Sequence, residues 1–195
     1  RKQREGKPLA VMVLNTASAR RLADFDAGAT ALLSGPHRPV VVAPRRAGAS
    51  ALSPAVTGGL DSLGTLLPYS GLHYLLFHAL LGAPSGHAWL EQANELALVM
   101  TSANLSGDPL LADPGEAAVR LAGIADLLVH HDREIARRVD DSVVRCAQGQ
   151  QSVIRRARGF APRAIRLATP GPAVLALGAH LKSTVAMTQG DRAYL

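Results

Sequence analysis

The sequence predicts an α/β fold built on a largely mixed or parallel sheet. Two observations carry this prediction: short apolar runs bounded by Pro, Gly or polar residues recur along the chain, and segments with helical spacing separate them. The chain has 195 residues, of which 48% are hydrophobic and 18% charged. This balance suits one domain of ordinary size with some additional chain, and it excludes a mainly disordered protein.

The strand predictions depend on compact runs of β-branched and aliphatic residues that are too short for helices. In chain order, the predicted strands are Leu9–Val13, Pro39–Ala43, Leu63–Leu67, Leu96–Met100, Ala125–Val129, Ser152–Ile154 and Ala173–Gly178. The first and fourth are read as buried.

Helices are predicted where apolar residues recur at helical spacing behind a capping residue or a proline. They are Ala19–Leu33 (capped by Asn15 or Thr16), Leu72–Leu81, His87–Ala93 and Pro114–Leu121. Two stretches lack either period: 45–59 is predicted to be a loop, and Pro162–Pro172, with three prolines, a linker.

Three features of the chain predict a cytoplasmic location. The longest apolar stretch, Leu72–Leu81, is well short of the roughly 18 residues that a membrane span requires. The first four residues lack the apolar core of a secretory signal, and a single cysteine, Cys146, fits a reducing compartment. Because position 1 is not Met, we expect the sequence to be an internal piece of a longer protein.

Residues 133–166 carry the whole excess of positive charge. This segment contains nine arginines and three acidic residues, which accounts for the net charge of +6 of the chain. Guanidinium groups are planar, permanently charged and able to bind phosphate through two hydrogen bonds, so the segment favours phosphate recognition. A solvated basic face, or nonspecific attraction to nucleic acid, is the alternative.

Lys2 and Arg4 form a second basic feature, before the first predicted strand. In an extended segment, side chains two residues apart lie on the same side of the backbone. Two cations placed in this way can bind a polyphosphate or stabilise charge on a transferring group. A charged strand edge that resists aggregation would explain the same residues.

Ser102 and Asn104 directly follow a predicted strand. In α/β proteins, loops at the carboxyl ends of strands bind ligands, and a hydroxyl and an amide separated by one residue can converge on one ligand. Ordinary turn chemistry is the alternative for these residues. Further along, Arg155, Arg156 and Arg158 bring three guanidinium groups to a turn at Gly159, which is typical of a phosphate clamp.

Three other clusters contain residues that bind metals or act as nucleophiles. Asp140 and Asp141 are adjacent, so their side chains point apart in regular structure, and pairing with nearby arginines is the alternative to Mg²⁺ binding. His130–Asp132 has no third ligand at a zinc-like spacing. Cys146 follows Arg145, which would lower its pKa, although a lone cysteine is usually packed. No metal ligand is assigned.

Taken in order, these motifs resemble the YrdC-like domain of the HypF carbamoyltransferase family. The resemblance covers Lys2 to Leu167 and is carried by five segments: Lys7–Met12, Leu67–His73, Thr101–Asn104, Arg138–Val143 and Arg155–Pro162. The tail Leu177–Lys182 resembles the start of the kinase-like carbamoyltransferase domain that follows in that family. We therefore predict a YrdC-like domain at 1–167, lacking its N-terminal elements, and a linker with the first strands of the next domain at 168–195.

The resemblance implies an open, twisted, mixed sheet with helices and a basic concave cavity. The family signature is a Lys and an Arg two residues apart, together with Ser-x-Asn. By the resemblance, the residues of the nucleotide site are Lys2, Arg4, Ser102, Asn104, Ser142 and Arg156. Lys2 and Arg4 are implied as catalytic residues that stabilise charge at the phosphates and carbamate.

The implied activity is ATP-dependent formation of carbamoyl-adenylate from carbamoyl phosphate. In that family the carbamoyl group then passes to the terminal cysteine of HypE, for synthesis of the cyanide ligands of NiFe-hydrogenase. ATP and Mg²⁺ are the expected cofactors, and zinc belongs to modules that this sequence does not contain. Reactions that join anionic groups require cations and preorganised donors, which agrees with the residue types.

Three other functions stay open at this point. A threonylcarbamoyl-adenylate synthase of tRNA modification has the same signature, although Arg155–Pro162 and the tail at Lys182 argue against it. An antibiotic O-carbamoyltransferase would share the two-domain architecture. A double-stranded RNA-binding module would use the basic cavity and weaken steeply with salt, but only Phe160 lies near the arginines as a stacking group.

Overall fold

The computed structural model describes residues 8–48, 52–105, 107–147, 150–178 and 183–195. Their contacts divide the chain into two compact units. The six-stranded unit contains 8–101 and 141–155, and the three-stranded unit contains 102–140 and 156–195. Lys2 and Arg4 lie outside the described residues.

The six-stranded unit is organised around a mixed sheet. Its strands are β1 (Ala10–Val13), β2 (Val40–Pro44), β3 (Ser62–Leu66), β4 (Ala97–Met100), β5 (Val143–Ala147) and β6 (Gln150–Arg155). Their order across the sheet is β4-β1-β3-β2-β5-β6. The pairs β1 with β3 and β2 with β5 are parallel, and the other neighbours are antiparallel. The predicted mixed α/β sheet is therefore confirmed.

Both faces of this sheet are covered, which explains why its central strands are almost uninterrupted apolar runs. Successive side chains of β1 point to opposite faces. Val11 and Val13 pack into one core cluster with Leu33, whereas Met12 packs into a second cluster with Phe77. All five side chains are essentially inaccessible to solvent.

Helices connect the strands of the six-stranded unit. They are α1 (Thr16–Leu22), α2 (Ala27–Ser34), α3 (Pro54–Thr57) and α4 (Gly71–Leu80), with one 3₁₀ turn at Ala88–Leu90. Within the described part of the chain, no helix has the length and apolar character needed to cross a bilayer.

One helix was predicted over Ala19–Leu33, and this is wrong because the segment contains two helices. The backbone is extended at Ala23, and the side chain of Asp26 accepts a 2.7 Å hydrogen bond from Ala29 N, which starts α2. Asparagine and aspartate satisfy the unpaired amides at a helix start. The predicted cap of α1 is confirmed at Asn15, whose side chain accepts from Ser18 N at 2.8 Å.

The three-stranded unit contains α5 (Pro114–Arg120) and the strands β7 (Ile165–Gly171), β8 (Leu175–Gly178) and β9 (Thr184–Tyr194). Antiparallel pairing gives the order β7-β9-β8. The predicted linker at Pro162–Pro172 is wrong, because β7 occupies most of it and pairs with β9.

Other element predictions fail for identifiable reasons. Ala125–Val129 is not a strand: Ala125 forms only an isolated bridge to Ala122, and Leu127 and Val129 are about three-quarters exposed. The helix expected at His87–Ala93 is reduced to the 3₁₀ turn. Strand β4 is at the sheet edge and only partly buried, rather than fully buried as predicted.

Candidate functional site

Ser102 and Asn104 come together in the turn that follows β4 in the chain. The Ser102 hydroxyl donates a hydrogen bond of 2.6 Å to Asn104 Oδ1, and Asn104 N donates to the Ser102 carbonyl at 3.0 Å. Asn104 is buried, with 8% of its surface exposed. The two polar side chains singled out from the sequence are therefore adjacent in a turn, which both interpretations of these residues allow.

The Asn104 carboxamide is also fixed at its nitrogen. Asn104 Nδ2 donates to the Asp108 carbonyl at 2.6 Å, and Asp108 N donates to the Leu105 carbonyl at 3.2 Å. Gly107 has a φ of +91°, a left-handed conformation that glycine adopts without strain. Leu111 N closes the loop by donating to the Ala103 carbonyl at 2.9 Å. The loop therefore presents Asn104 in one orientation.

Sequence reasoning missed Asp108 and Arg120, which couple this loop to α5. The Arg120 guanidinium is hydrogen-bonded to the Asp108 carboxylate and, at 3.2 Å, to Glu116 Oε1. Only the Glu116 pair had a sequence signal, the four-residue spacing that places two side chains on the same helix face. The twelve-residue separation of Asp108 and Arg120 carries no such signal.

Arg156 closes a turn within the three-stranded unit. Its Nη2 donates to the carbonyl of Phe160 at 2.9 Å and also to the carbonyl of Arg163, and its guanidinium carbon lies 5.9 Å from the centre of the Phe160 ring. Its Nε is buried and has no hydrogen-bond partner. Arg156 thus organises residues 156–163 through backbone carbonyls, in the segment where a phosphate clamp was predicted.

Arg155 and Ser142 belong to the six-stranded unit. Arg155 Nε donates to the Asp141 carbonyl at 2.7 Å, and this contact ties the end of β6 to the chain just before β5. Ser142 is fully buried, and its carbonyl accepts from Val40 N at 2.8 Å. Both residues stabilise the β2–β5–β6 part of the sheet through backbone contacts.

A cavity of about 560 Å³ opens in the six-stranded unit, and none of the sequence-predicted site residues that the structure describes lines it. Its charged lining is mixed: Arg46 Nε lies 3.2 Å from Asp24 Oδ1, and Asp26 is occupied as the cap of α2. Cys146 also lines it.

The proposed lowering of the Cys146 pKa by Arg145 is wrong. Partial burial raises the pKa of the Cys146 thiol, and the negative charge of Asp26 raises it further. Arg145 and Cys146 are neighbours on β5, so their side chains point to opposite faces of the sheet. Cys146 therefore stays protonated near neutral pH and is a poor nucleophile.

The His and Asp clusters singled out in the sequence do not form a group of metal ligands among the described residues. Among residues 8–48 and the other described ranges, no group of three or more His, Cys, Asp or Glu side chains is placed to hold a metal ion. The Asp140 carbonyl accepts from Arg158 N at 3.1 Å, and the Asp141 carbonyl accepts from Arg155. These two aspartates thus contribute backbone contacts to different units.

Comparison with known families defines the class of protein. Residues 1–157 match the Sua5_yciO_yrdC family model, described as "Telomere recombination". The chain belongs to the Sua5/YciO/YrdC family.

The particular relatives are carbamoyltransferases of the HypF type, and this confirms the predicted resemblance. Carbamoyltransferase HypF2 from Cupriavidus necator is 52% identical over 199 residues, which cover 100% of this chain and 24% of the relative. Probable carbamoyltransferase HypF from Methanocaldococcus jannaschii is 37% identical over 174 residues, with 89% of this chain and 21% of the relative covered. The chain thus spans about a quarter of the length of these relatives.

Solved structures are similar in fold. Full-length HypF, crystallised in its phosphate- and nucleotide-bound form, matches with a TM-score of 0.83 and 34% identity, over 100% of this chain and 24% of that chain. Sua5 from P. abyssi, complexed with L-threonine, matches with a TM-score of 0.58 over 80% of this chain and 42% of that chain. At 19% identity, the second similarity shows the fold alone.

Proposed function

We propose that this chain is the adenylate-forming part of an ATP-dependent carbamoyltransferase of the HypF type, acting in the cytoplasm. The observation that carries the proposal is the similarity of its whole length to a HypF structure that holds phosphate and a nucleotide. The fixed pair of Ser102 and Asn104 supports it, because a hydroxyl and an oriented amide match the oxygens of a nucleotide phosphate and of a carbamoyl group.

In the proposed reaction, carbamoyl phosphate reacts with water to give carbamate and inorganic phosphate. A carbamate oxygen then bonds to the α-phosphorus of ATP, the bond from that phosphorus to the bridging oxygen breaks, and pyrophosphate leaves. The product is carbamoyl-adenylate. Negative charge gathers on the oxygens around the α-phosphorus and on the departing pyrophosphate in this step, so positioned cations and hydrogen-bond donors lower its barrier.

The residues are assigned roles on this basis. Lys2 and Arg4 stabilise charge at the phosphates and carbamate, and Ser102 and Asn104 hold the phosphate and carbamoyl ends of the adenylate. The segments around Ser142 and Arg156 close over the adenylate. ATP enters as its Mg²⁺ complex, so the metal is part of the substrate.

The later steps involve parts of the longer HypF-type protein. The carbamoyl group is transferred through the kinase-like domain to HypE. Its carbon bonds to the terminal cysteine sulfur, and AMP is released. In the predicted domain organisation, residues 1–167 form the adenylate domain and 168–195 begin the kinase-like domain.

Acyl-adenylate formation tests the proposal directly. The chain is incubated with Mg²⁺, ATP and either carbamoyl phosphate or threonine plus bicarbonate, and the product is identified by mass spectrometry. We expect carbamoyl-adenylate, together with carbamoyl phosphate-dependent exchange of labelled pyrophosphate into ATP. Asn104→Ala and Lys2→Ala should lose both signals, and Gln151→Ala, at an exposed position on β6, should keep them.

Other products would redirect the assignment. Threonylcarbamoyl-adenylate would place the chain in tRNA modification. A folded chain that makes neither adenylate yet binds double-stranded RNA with a steep salt dependence would support the binding-module alternative.

A further inference from the structure

The orientation of Asn104 depends on the backbone of a residue four positions further along the chain. Asn104 Nδ2 donates to the Asp108 carbonyl, so any rotation of the Asp108 peptide moves the acceptor that fixes the amide. The Ser102 hydroxyl then hydrogen-bonds to the Oδ1 atom of the same amide. The order of the turn that ends at Asp108 therefore contributes to the order of this pair.

A side chain of α5 holds that turn in place. The Asp108 carboxylate binds the guanidinium of Arg120, the last residue of α5, and both side chains are about one-third exposed. Arg120 also binds Glu116 one helical turn earlier at 3.2 Å.

The start of α5 has a side-chain cap that does not involve this contact. Asp113 caps the helix by accepting from Glu116 N at 2.7 Å, and Pro114 occupies the first turn. Because the cap satisfies an amide at the helix start, Arg120 projects from a formed helix toward the turn. Polar sites are held more accurately when their supporting residues come from such elements.

We propose that Arg120 and Asp108 are positioning residues for Asn104, an inference that rests on the proposed nucleotide site. Neither residue is assigned a contact with the substrate. Their ion pair fixes the Asp108 peptide, the Asp108 carbonyl fixes the Asn104 amide, and the amide is presented to the adenylate already oriented.

Two substitutions remove the ion pair between Arg120 and Asp108, and one matched substitution leaves it intact. Arg120→Gln and Asp108→Asn each remove the ion pair, whereas Glu116→Gln removes only the second carboxylate from the same guanidinium. We expect the first two to lower kcat/KM for ATP about tenfold. The double variant should be no worse than either single variant, Arg120→Lys should recover part of the loss, and Glu116→Gln should stay within about twofold of the original chain.

A second readout does not depend on catalysis. In the ¹⁵N-labelled chain, the side-chain amide signal of Asn104 is assigned by its loss in Asn104→Asp. We expect this signal to shift and to exchange faster with solvent in Arg120→Gln and Asp108→Asn, but not in Glu116→Gln, while the melting temperature of all three changes little.

The outcomes separate the two proposals. An Asn104 signal that is unchanged in Arg120→Gln and Asp108→Asn overturns the positioning role. A loss of kcat/KM in Glu116→Gln equal to that in Arg120→Gln overturns it as well. If the original chain makes no carbamoyl-adenylate, the proposed function fails, and the amide signal still decides whether Arg120 positions Asn104.

Discussion

Ser102 and Asn104 share a hydrogen bond of 2.6 Å, and the Asn104 amide nitrogen makes a second one of 2.6 Å to the Asp108 carbonyl. An aspartate at position 104 would place a negatively charged acceptor against that carbonyl and leave it without its donor. We therefore expect Asn104→Asp to reduce acyl-adenylate formation about 100-fold, and more than Asn104→Ala does. Pyrophosphate exchange measures the rates.

Asn94 provides a matched control for this charge substitution. Its Nδ2 also donates to a backbone carbonyl, that of Gln92 at 3.5 Å, and its Oδ1 accepts from Leu96 N at 3.1 Å. Asn94 lies in the six-stranded unit and is not part of the candidate site. Asn94→Asp should leave the exchange rate within about twofold of the original. Equal losses in both variants would show that the effect is not specific to the turn after β4.

Asn15 stabilises two segments at once. Besides capping α1, its Nδ2 donates to the carbonyls of Leu90 and Gln92 at 2.8 and 2.9 Å. We expect Asn15→Ala to lower the free energy of unfolding by about 2 kcal/mol. Asn15→Ser keeps a capping oxygen without adding a charge and loses the donors to Leu90 and Gln92, so it should cost about half as much. Urea denaturation, monitored by circular dichroism, measures both values. Equal stability of the two variants would contradict this prediction.

Phe77 anchors α4 on the sheet. It is completely buried in the cluster that contains Met12 and Leu66, whereas Leu75 on the same helix is 66% exposed. Phe77→Ala leaves a cavity, and we expect a loss of about 4 kcal/mol in unfolding free energy. Leu75→Ala should change it by less than about 0.5 kcal/mol. Thermal and urea denaturation give both values, and similar effects at the two positions would mean that α4 is not held by its buried face.

Cys146 should react slowly with thiol reagents near neutral pH. Burial and the charge of Asp26 raise the pKa of its thiol, so less thiolate is present than in a small thiol. The Cys146 thiol therefore ionises at lower pH in the unfolded chain than in the folded chain. The protein should therefore lose stability as the pH rises from the unfolded pKa, about 8.5, through the higher folded pKa.

The alkylation rate of Cys146 as a function of pH tests the cause of this shift. Asp26→Asn removes the charge but keeps an oxygen that can cap α2, so the midpoint of the rate profile should move to lower pH. Asp24→Asn, in the same cavity, is the control and should leave the midpoint unchanged. An unchanged midpoint in Asp26→Asn would assign the shift to burial alone.

The sequence predicted most of the six-stranded unit because its inner strands are buried on both faces. A short, continuous apolar run such as Ala10–Val13 is typical of a strand that is buried on both faces. Strand β5 was missed because Arg145, exposed on one face, interrupts its apolar pattern. Ala125–Val129 shows the opposite error: its pattern suits a strand, but strand formation also requires a pairing partner, which local sequence does not reveal.

At the candidate site, too, contacts between residues close in sequence could be predicted, and contacts that depend on tertiary packing could not. The proximity of Ser102 and Asn104 follows from their spacing in a turn, which local sequence does show. The contact from Arg120 to Asp108 depends on where α5 packs, so no periodicity could show it. Strand β9, with Gln189, Gly190 and Asp191 in its length, was missed for the same reason, since pairing with β7 and β8 defines it.

The parallel pairing of β2 with β5 has a consequence for how the protein is made. Val40 pairs with Val143, so about a hundred residues must leave the ribosome before the sheet receives its fifth strand. Until then, one side of β2 presents unpaired amides and carbonyls, flanked by the hydrophobic side chains of Val41 and Val42. A nascent chain stalled after residue 140 would expose this unpaired strand edge. Such an intermediate is prone to aggregate, and we expect chaperones to bind it.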